Sequence, residues 1–360
     1  ATVLDTLTCT PGTANDDDGD TVSFRYSWTV DGGTVSGATS DTLTSTFFKK
    51  TQDVVCTVIP TDGEDGLPVD SNTVTIGNTI PSVTAVNISP DPAYAADTLT
   101  CSWTFTDADG DTDLSSVSWT RGGATVGTGP TLSGVFIGGD TLTCTVTPYD
   151  GMDTGTPVAA NITITNSKPV LHTVSLTPVV ATETTTLRCT PGTYTDDDGD
   201  TLSYVFEWTV DGSTVSGISA ATLTGTHFDK HDDVTCTVTP NDGTEDGAPV
   251  TSNKVTIDNT PPVLASASLT PTSPRTTDTL SCTPGTATDT DGDTVTFKYT
   301  WLVNSVPLTG PTGNTLSSTA FAKGDTVTCS VTPFDGEVDG LFVDSNTVTI
   351  GNTIPSVTAV

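Results

Sequence analysis

The sequence predicts an all-β chain organised as four tandem β-sandwich repeats, and three observations predict it. Composition is directed: Thr, Val, Asp and Gly are abundant, whereas Lys plus Arg number only 11 and Met one in 360 residues. Thr and Val fit a pleated, half-buried surface. Eight cysteines fall into four pairs, Cys9/Cys56, Cys101/Cys144, Cys189/Cys236 and Cys282/Cys329, with separations of 47, 43, 47 and 47 residues. A Trp lies inside every pair, at Trp28, Trp119, Trp208 and Trp301. The first cysteines recur after 92, 88 and 93 residues, and a period of that length means an array of repeated domains.

Each repeat reads as a series of short strands. In the fourth, 279–283 alternates into its Cys, and 295–303 places Phe297, Tyr299 and Trp301 on one face by the period of two. Segment 326–332 carries the second Cys, and 345–350 closes the unit. Gly, Pro and Asp turns separate these runs, as in a sandwich. A second repeated signal marks the boundaries: Asn78, Asn166, Asn259 and Asn352 each open an Asn-x-x-Pro segment. Proline cannot continue a strand ladder and restricts the residue before it. The expected domains are 1–79 (its first strand missing), 80–167, 168–260 and 261–353, with 354–360 beginning the first strand of a following domain. Short Pro-containing linkers favour a semi-rigid rod.

The Cys…Trp…Cys spacing of all four repeats resembles the immunoglobulin superfamily. The resemblance implies Ig-like sandwiches with the cysteines on strands B and F and the Trp of strand C packed on the bridge. The family's tyrosine corner is missing: Val54, Leu142, Val234 and Val327 stand two residues before the second Cys. The repeats look more like bacterial-type Ig-like, PKD-like or cadherin-like surface repeats than antibody domains. Every repeat has one pair and no Cys is left over, which favours bridges over free thiols in a reducing compartment. A bridge closing such a loop stabilises by about 4 kcal/mol in the loop-entropy model. No CxxC or Cys/His cluster suggests zinc. The chain is therefore expected to be extracellular or on a cell surface.

The formal net charge is −33. That argues against nucleic acid and against an anionic membrane surface. No apolar run is long enough to span a bilayer. The negative charge is focused, because 25 of the 44 acidic residues lie in two loops per repeat. The first loop is D-x-D-G-D and supplies Asp16, Asp18 and Asp20; Asp107, Asp109 and Asp111; Asp196, Asp198 and Asp200; and Asp289, Asp291 and Asp293. The second follows the second Cys and supplies Asp62 and Asp65; Asp150 and Asp153; Asp242 and Asp246; and Asp335 and Asp339. In an Ig-like sandwich the B–C and F–G loops share one end, where the linker from the preceding domain also enters. Asn78, Asn166 and Asn259 are therefore expected beside these acids. Calcium takes six to eight oxygen ligands from carboxylates and carbonyls, and Gly permits the sharp turn. The expectation is calcium at the junctions, in the manner of cadherins; the rival is that Asp and Gly are here as solvated turn residues.

Other motifs are weaker. His172, His227 and His231 occur in the third repeat only and read as surface or loop histidines. No Ser/His/Asp set recurs and no glycine-rich phosphate loop is present, so no enzyme is expected. Residues 344–360 repeat 70–86 letter for letter, a superperiod of 274. This suggests a window of a longer repeat protein, or a subunit whose last strand completes the first domain of another copy. The functional expectation is a structural component of an extracellular, bacterial fibre or surface stalk, partnered by copies of itself. The alternatives are an adhesin that binds a ligand directly, with the divergent second repeat and its added Trp103 as the best candidate, and an accessory array of a larger secreted enzyme.

Overall fold

A computed structural model describes residues 1–357. The chain is all-β and forms a tandem array of Ig-like sandwiches, two in each of two compact units. One unit is Ala1–Ser167 with Asp197–Gly199; the other is Lys168–Asp196 with Asp200–Val360.

In the first unit, the antiparallel pair Ser23–Val30 and Asp53–Thr61 forms the centre of one sheet, flanked by Gly33–Thr34, Val69–Asp70 and Val74–Thr75. The opposite layer is slight: Leu7–Thr8 pairs with Thr42–Leu43. The second sandwich is fuller. Ala124–Thr128, Ser116–Arg121, Thr141–Thr147 and Val158–Thr163 face a sheet of Thr131–Ser133, Thr98–Thr106 and Ser82–Ser89.

The second unit repeats one plan twice. Ser203–Val210 pairs with Asp233–Asn241, and Thr296–Val303 pairs with Thr326–Phe334. The opposing layers are Val174–Thr177, Leu187–Pro191 and Thr222–Leu223, and Ala267–Thr270, Leu280–Pro284 and Thr315–Leu316.

The four bridges close between the pairs read from the sequence, with Cα separations of 6.2, 6.4, 6.2 and 6.3 Å, inside the range a disulfide spans. Register explains the Trp. In every sandwich it sits directly across from the second Cys: Trp28 from Cys56, Trp119 from Cys144, Trp208 from Cys236 and Trp301 from Cys329. All four indoles are buried. Each donates its N–H to a main-chain carbonyl, of Ser40, Gly129, Ala220 or Gly313, at 2.9–3.0 Å. A buried indole N–H without an acceptor would carry its desolvation cost, so this carbonyl is part of the core.

The sandwiches differ in how the first cysteine-bearing strand is covered. Leu187–Pro191 and Leu280–Pro284 are paired on both edges. Asn253 clamps the covering strand by accepting from Leu176 N at 2.8 Å and donating to Leu176 O at 3.1 Å. Asn346 does the same to Leu269. In the first sandwich, Leu7–Thr8 has one strand partner among the described residues, and Asn72 donates to Thr73 O at 3.4 Å. Its buried apolar cluster is correspondingly small, eight residues against fourteen in the second and in the third. Residues 354–357 carry no strand, and the rest of the strand expected at 354–360 lies outside the described residues.

Candidate cation sites

The D-x-D-G-D loops fold by local hydrogen bonding. Asp107 Oδ1 accepts from the amides of Asp109 (2.9 Å) and Asp111 (3.1 Å), and Gly110 takes the left-handed turn at φ +79. Asp289 Oδ1 accepts likewise from Asp291 (2.9 Å) and Asp293 (3.3 Å), with Gly292 at φ +79. Asp is the right residue for such a turn because its short carboxylate reaches its own backbone two residues on. One oxygen per loop is thereby used, and the other, Oδ2 of Asp107 and of Asp289, is shielded from solvent with no donor.

The second loops are built the same way. Asp150 Oδ1 accepts from Met152 N and Asp153 N, both at 2.7 Å, and Asp335 Oδ1 accepts from Glu337 N and Val338 N at 2.7 Å. Both carboxylates are buried. Their outer oxygens meet the linker: Asn78 Nδ2 donates to Asp150 Oδ2 at 2.7 Å and to Asp153 Oδ2 at 2.9 Å, and Asn259 Nδ2 donates to Asp335 Oδ2 at 2.8 Å. Burial pushes these two carboxyls up, but the amide donors outweigh it and hold Asp150 and Asp335 at a pKa of about 2. They are ionised at any ordinary pH.

The linker also engages the first loop. Thr79 N donates to Asp109 Oδ2 at 2.6 Å, and Thr260 N to Asp291 Oδ2 at 2.5 Å. The remaining oxygens, Oδ1 of Asp109 and of Asp291, are again solvent-shielded and without a donor. Linker and both acidic loops thus converge at Asn78 in the first unit and at Asn259 in the second.

Asp107, Asp111 and Asp150 each offer an oxygen within 4.8 Å of the others, and so do Asp289, Asp293 and Asp335. Two oxygens about 2.4 Å from one calcium ion lie at most about 4.8 Å apart, so the spacing suits a shared hard cation. Shielded carboxylate oxygens with no donor are costly unless a cation meets them. Donor type, spacing and the orphaned oxygens therefore fit calcium at both places.

The other acids divide differently. In the third sandwich Asp200 N donates to Asp196 Oδ1 at 3.2 Å, while Asp198 falls in the segment Asp197–Gly199 of the other compact unit. Asp242 is buried and accepts from Thr244 N and Glu245 N at 2.7 Å, while Asn166 Nδ2 donates to Ser167 O at 3.4 Å. In the first sandwich Asp16 Oδ1 accepts from Asp18 N (2.9 Å) and Asp20 N (3.0 Å), which holds its carboxyl below the usual range. Asp62 accepts from Glu64 N, and Asp18 and Asp20 are exposed. Three acids from the sequence list turn to partners on their own sandwich: Asp65 pairs with Arg25, Asp339 with Lys298, and Asp246 accepts from Asn241 Nδ2.

Two lysines complete the picture and were not among the sequence candidates. Lys50 Nζ donates to Asn78 Oδ1 at 3.0 Å and to Asp111 Oδ2. Lys230 Nζ donates to Asn259 Oδ1 at 3.1 Å, to Glu337 Oε1 at 2.9 Å and to Asp293 Oδ2. Both ammonium groups are held above the ordinary lysine range, first by these carboxylate hydrogen bonds. A signal for them exists in the sequence. Lys50, Lys230 and Lys323 each stand two residues after a Phe, in a chain with only 11 Lys plus Arg.

No protein-family model and no curated protein matches the sequence. Among solved structures, the chain is similar to Sidekick-1 immunoglobulin domains 1–5 (12% identity, 97% of this chain and 77% of that chain, TM-score 0.32). It is also similar to a Ca2+-stabilised adhesin with which an Antarctic bacterium binds ice (17%, 97% and 93%, TM-score 0.30) and to titin domains A168–A170 (11%, 76% and 99%, TM-score 0.29).

Proposed function

We propose that this chain is a structural component of an extracellular fibre or surface stalk, stiffened at its domain junctions by calcium and within each domain by a disulfide. The observation that carries the reading is the repeated clasp. At Asn78 and again at Asn259, the linker side chain and backbone tie the exit of one sandwich to both acidic loops of the next. Such a joint serves to fix one domain against another, and its repetition suits a load-bearing array. Four disulfides support an oxidising, extracellular or surface location. Among the described residues, no helix is long and apolar enough to cross a membrane.

Copies of the same chain, end to end or as one longer repeat polypeptide, are the partners in this reading. Direct adhesion through the second sandwich has less support. Trp103 is half-buried against the core and donates its indole N–H to Asp113 at 2.9 Å, so it is not a free aromatic anchor.

The test combines melting and microscopy of the native chain with calcium and with a chelator. Calcium is expected to raise the melting temperature and to give long, straight particles by negative stain. An unchanged melt together with unchanged particles would sink the calcium-stiffened reading.

A further inference from the structure

Outside the metal question stands an unusual use of scarce positive charge. Lys50 and Lys230 place ammonium groups inside the carboxylate clusters at Asn78 and Asn259, and their side chains are only 19% exposed. Each bonds an oxygen of the set that fits a metal, Asp111 in one cluster and Asp293 in the other. One ammonium faces five acids at the first junction, Asp107, Asp109, Asp111, Asp150 and Asp153. The buried oxygens of Asp107 and Asp109, and of Asp289 and Asp291, stay without a donor despite it. The lysine therefore neutralises part of each cluster and leaves part unmet.

We propose that Lys50 and Lys230 are the resident cations of these two junctions and built-in competitors of a divalent ion for the same carboxylates. The second half of this proposal rests on the calcium reading; the first does not. An ammonium and a calcium ion both seek oxygen ligands, and they repel each other at this range. A lysine is a compact point charge on a flexible four-carbon stem, so it can leave for solvent when a metal arrives. With metal absent, the ammonium holds linker and loop together through Asn78 or Asn259. With metal present, calcium has to displace it, which raises the concentration at which the joint fills. The device sets a threshold and keeps the joint closed on either side of it.

The corresponding position of the second sandwich shows that the fold accepts loss of the side chain. Gly138 stands two residues after Phe136, as Lys50 does after Phe48. The backbone there is equivalent: Gly139 N donates to Ile164 O at 2.9 Å as Thr51 N donates to Ile76 O at 2.8 Å.

The experiment compares the full chain with its Lys50→Met/Lys230→Met variant, and with Lys50→Gly/Lys230→Gly as the substitution already present at position 138. Each is melted in chelator and titrated with calcium by calorimetry. Both variants are expected to melt lower in chelator by about 3–6 °C, and to bind calcium at least about tenfold tighter, because a neighbouring positive charge is gone. Wild-type melting and wild-type calcium affinity in both variants would overturn the proposal outright. Weaker calcium binding in the variants would overturn competition and make the lysines supports of the metal site. A lower melt in the variants with no calcium binding by any chain would overturn competition and the calcium reading together, leaving the lysine as the sole cation.

Discussion

The junction at Asn78 and the junction at Asn259 are assembled from the same backbone parts and differ in the side chains around them. Where the first has Met152, an exposed side chain, the second has Glu337, whose carboxylate captures Lys230 at 2.9 Å. Where the first has Thr51, the second has His231, whose Nε2 lies 3.1 Å from Glu337. Where the first has Asp153, which accepts from Asn78 Nδ2 at 2.9 Å, the second has Val338, so the second junction moves one carboxylate from the linker amide to Glu337 and binds it there to two nitrogen donors. The first holds its lysine with one carboxylate and the Asn78 amide oxygen. The same backbone clasp therefore comes in two electrostatic grades, and the grade is set by side chains outside the D-x-D-G-D loop.

The largest effect expected from this difference is in metal dependence. If calcium fills both clusters, removing it should loosen the Asn78 junction more than the Asn259 junction, where Lys230, Glu337 and His231 form a network of their own. Amide hydrogen exchange of the full chain, with calcium and with chelator, reads this directly. Segments 78–80, 107–111 and 150–153 should gain exchange, and 259–261, 289–293 and 335–339 should gain less. Equal gains at both would show that the Glu337 network adds nothing.

Acid should reverse the ranking. Asp150, Asp335 and Glu337 all have carboxyls held below their ordinary values, Glu337 by Lys230 first and then His231. A lowered folded pKa gives stability that is full above the unfolded value and lost as pH falls through the folded one. The ordinary values are 4.5 for Glu337 and 3.8 for the two Asp residues, whose folded values are about 2. Both junctions should therefore weaken as the pH drops through this window, and the Asn259 junction should weaken first, because Glu337 enters the window at the highest pH. The raised lysines act oppositely, contributing fully below their ordinary value of 10.5 and losing it as pH rises through the folded one. Urea midpoints in chelator at pH 7, 4 and 3 measure the acid limb, and a flat profile would break the assignment.

A smaller effect should follow from exchanging the distinguishing side chain. Glu337→Met should lower the melting temperature in chelator by about 2–4 °C, the scale of one partly exposed charged network. Met152→Glu should recover part of that at the other junction by giving Lys50 a second carboxylate. No gain from Met152→Glu would mean that the first junction cannot present a glutamate to Lys50, and that the two grades differ in geometry as well as charge.

The sequence carries the fold almost completely, for a physical reason. Cys and Trp positions, apolar alternation and Pro boundaries are local signals, and the sandwich is their common solution. The convergence of linker and loops at Asn78 and Asn259 was also legible, because topology places both loops at the end where the linker enters. What was not legible is which acids stay at the junction. Asp65, Asp246 and Asp339 read as equals of Asp62, Asp242 and Asp335, yet Arg25, Asn241 and Lys298 claim them. For Asp65 and Asp339 that choice depends on Arg25 and Lys298, which lie within a neighbouring strand far along the chain, and for Asp246 on Asn241 at the end of the strand that leads into the loop. Lys50 and Lys230 escaped for a related reason: their loop lies far along the chain from the acids it meets, and only spatial closure shows that the positive charge is placed against the negative.

The smallest predicted effect concerns the backbone beside those lysines. Thr51 and His231 both sit in the left-handed region, at φ 72 and φ 71, where Gly139 and Gly324 stand in the other two sandwiches. A β-branched side chain is poorly tolerated there, and glycine is free of the clash at some cost in chain entropy. Thr51→Gly should therefore stabilise by about 0.5–1 kcal/mol, seen as a raised urea midpoint with unchanged slope. His231→Gly relieves a similar conformation but gives up the contact to Glu337, so its net effect should be smaller. If both substitutions stabilised equally, His231 would contribute nothing to its junction, and Glu337 alone would account for the difference between the two grades. If Thr51→Gly destabilised instead, the threonine side chain would be holding the turn that presents Lys50, which would assign to that loop a constraint beyond its backbone.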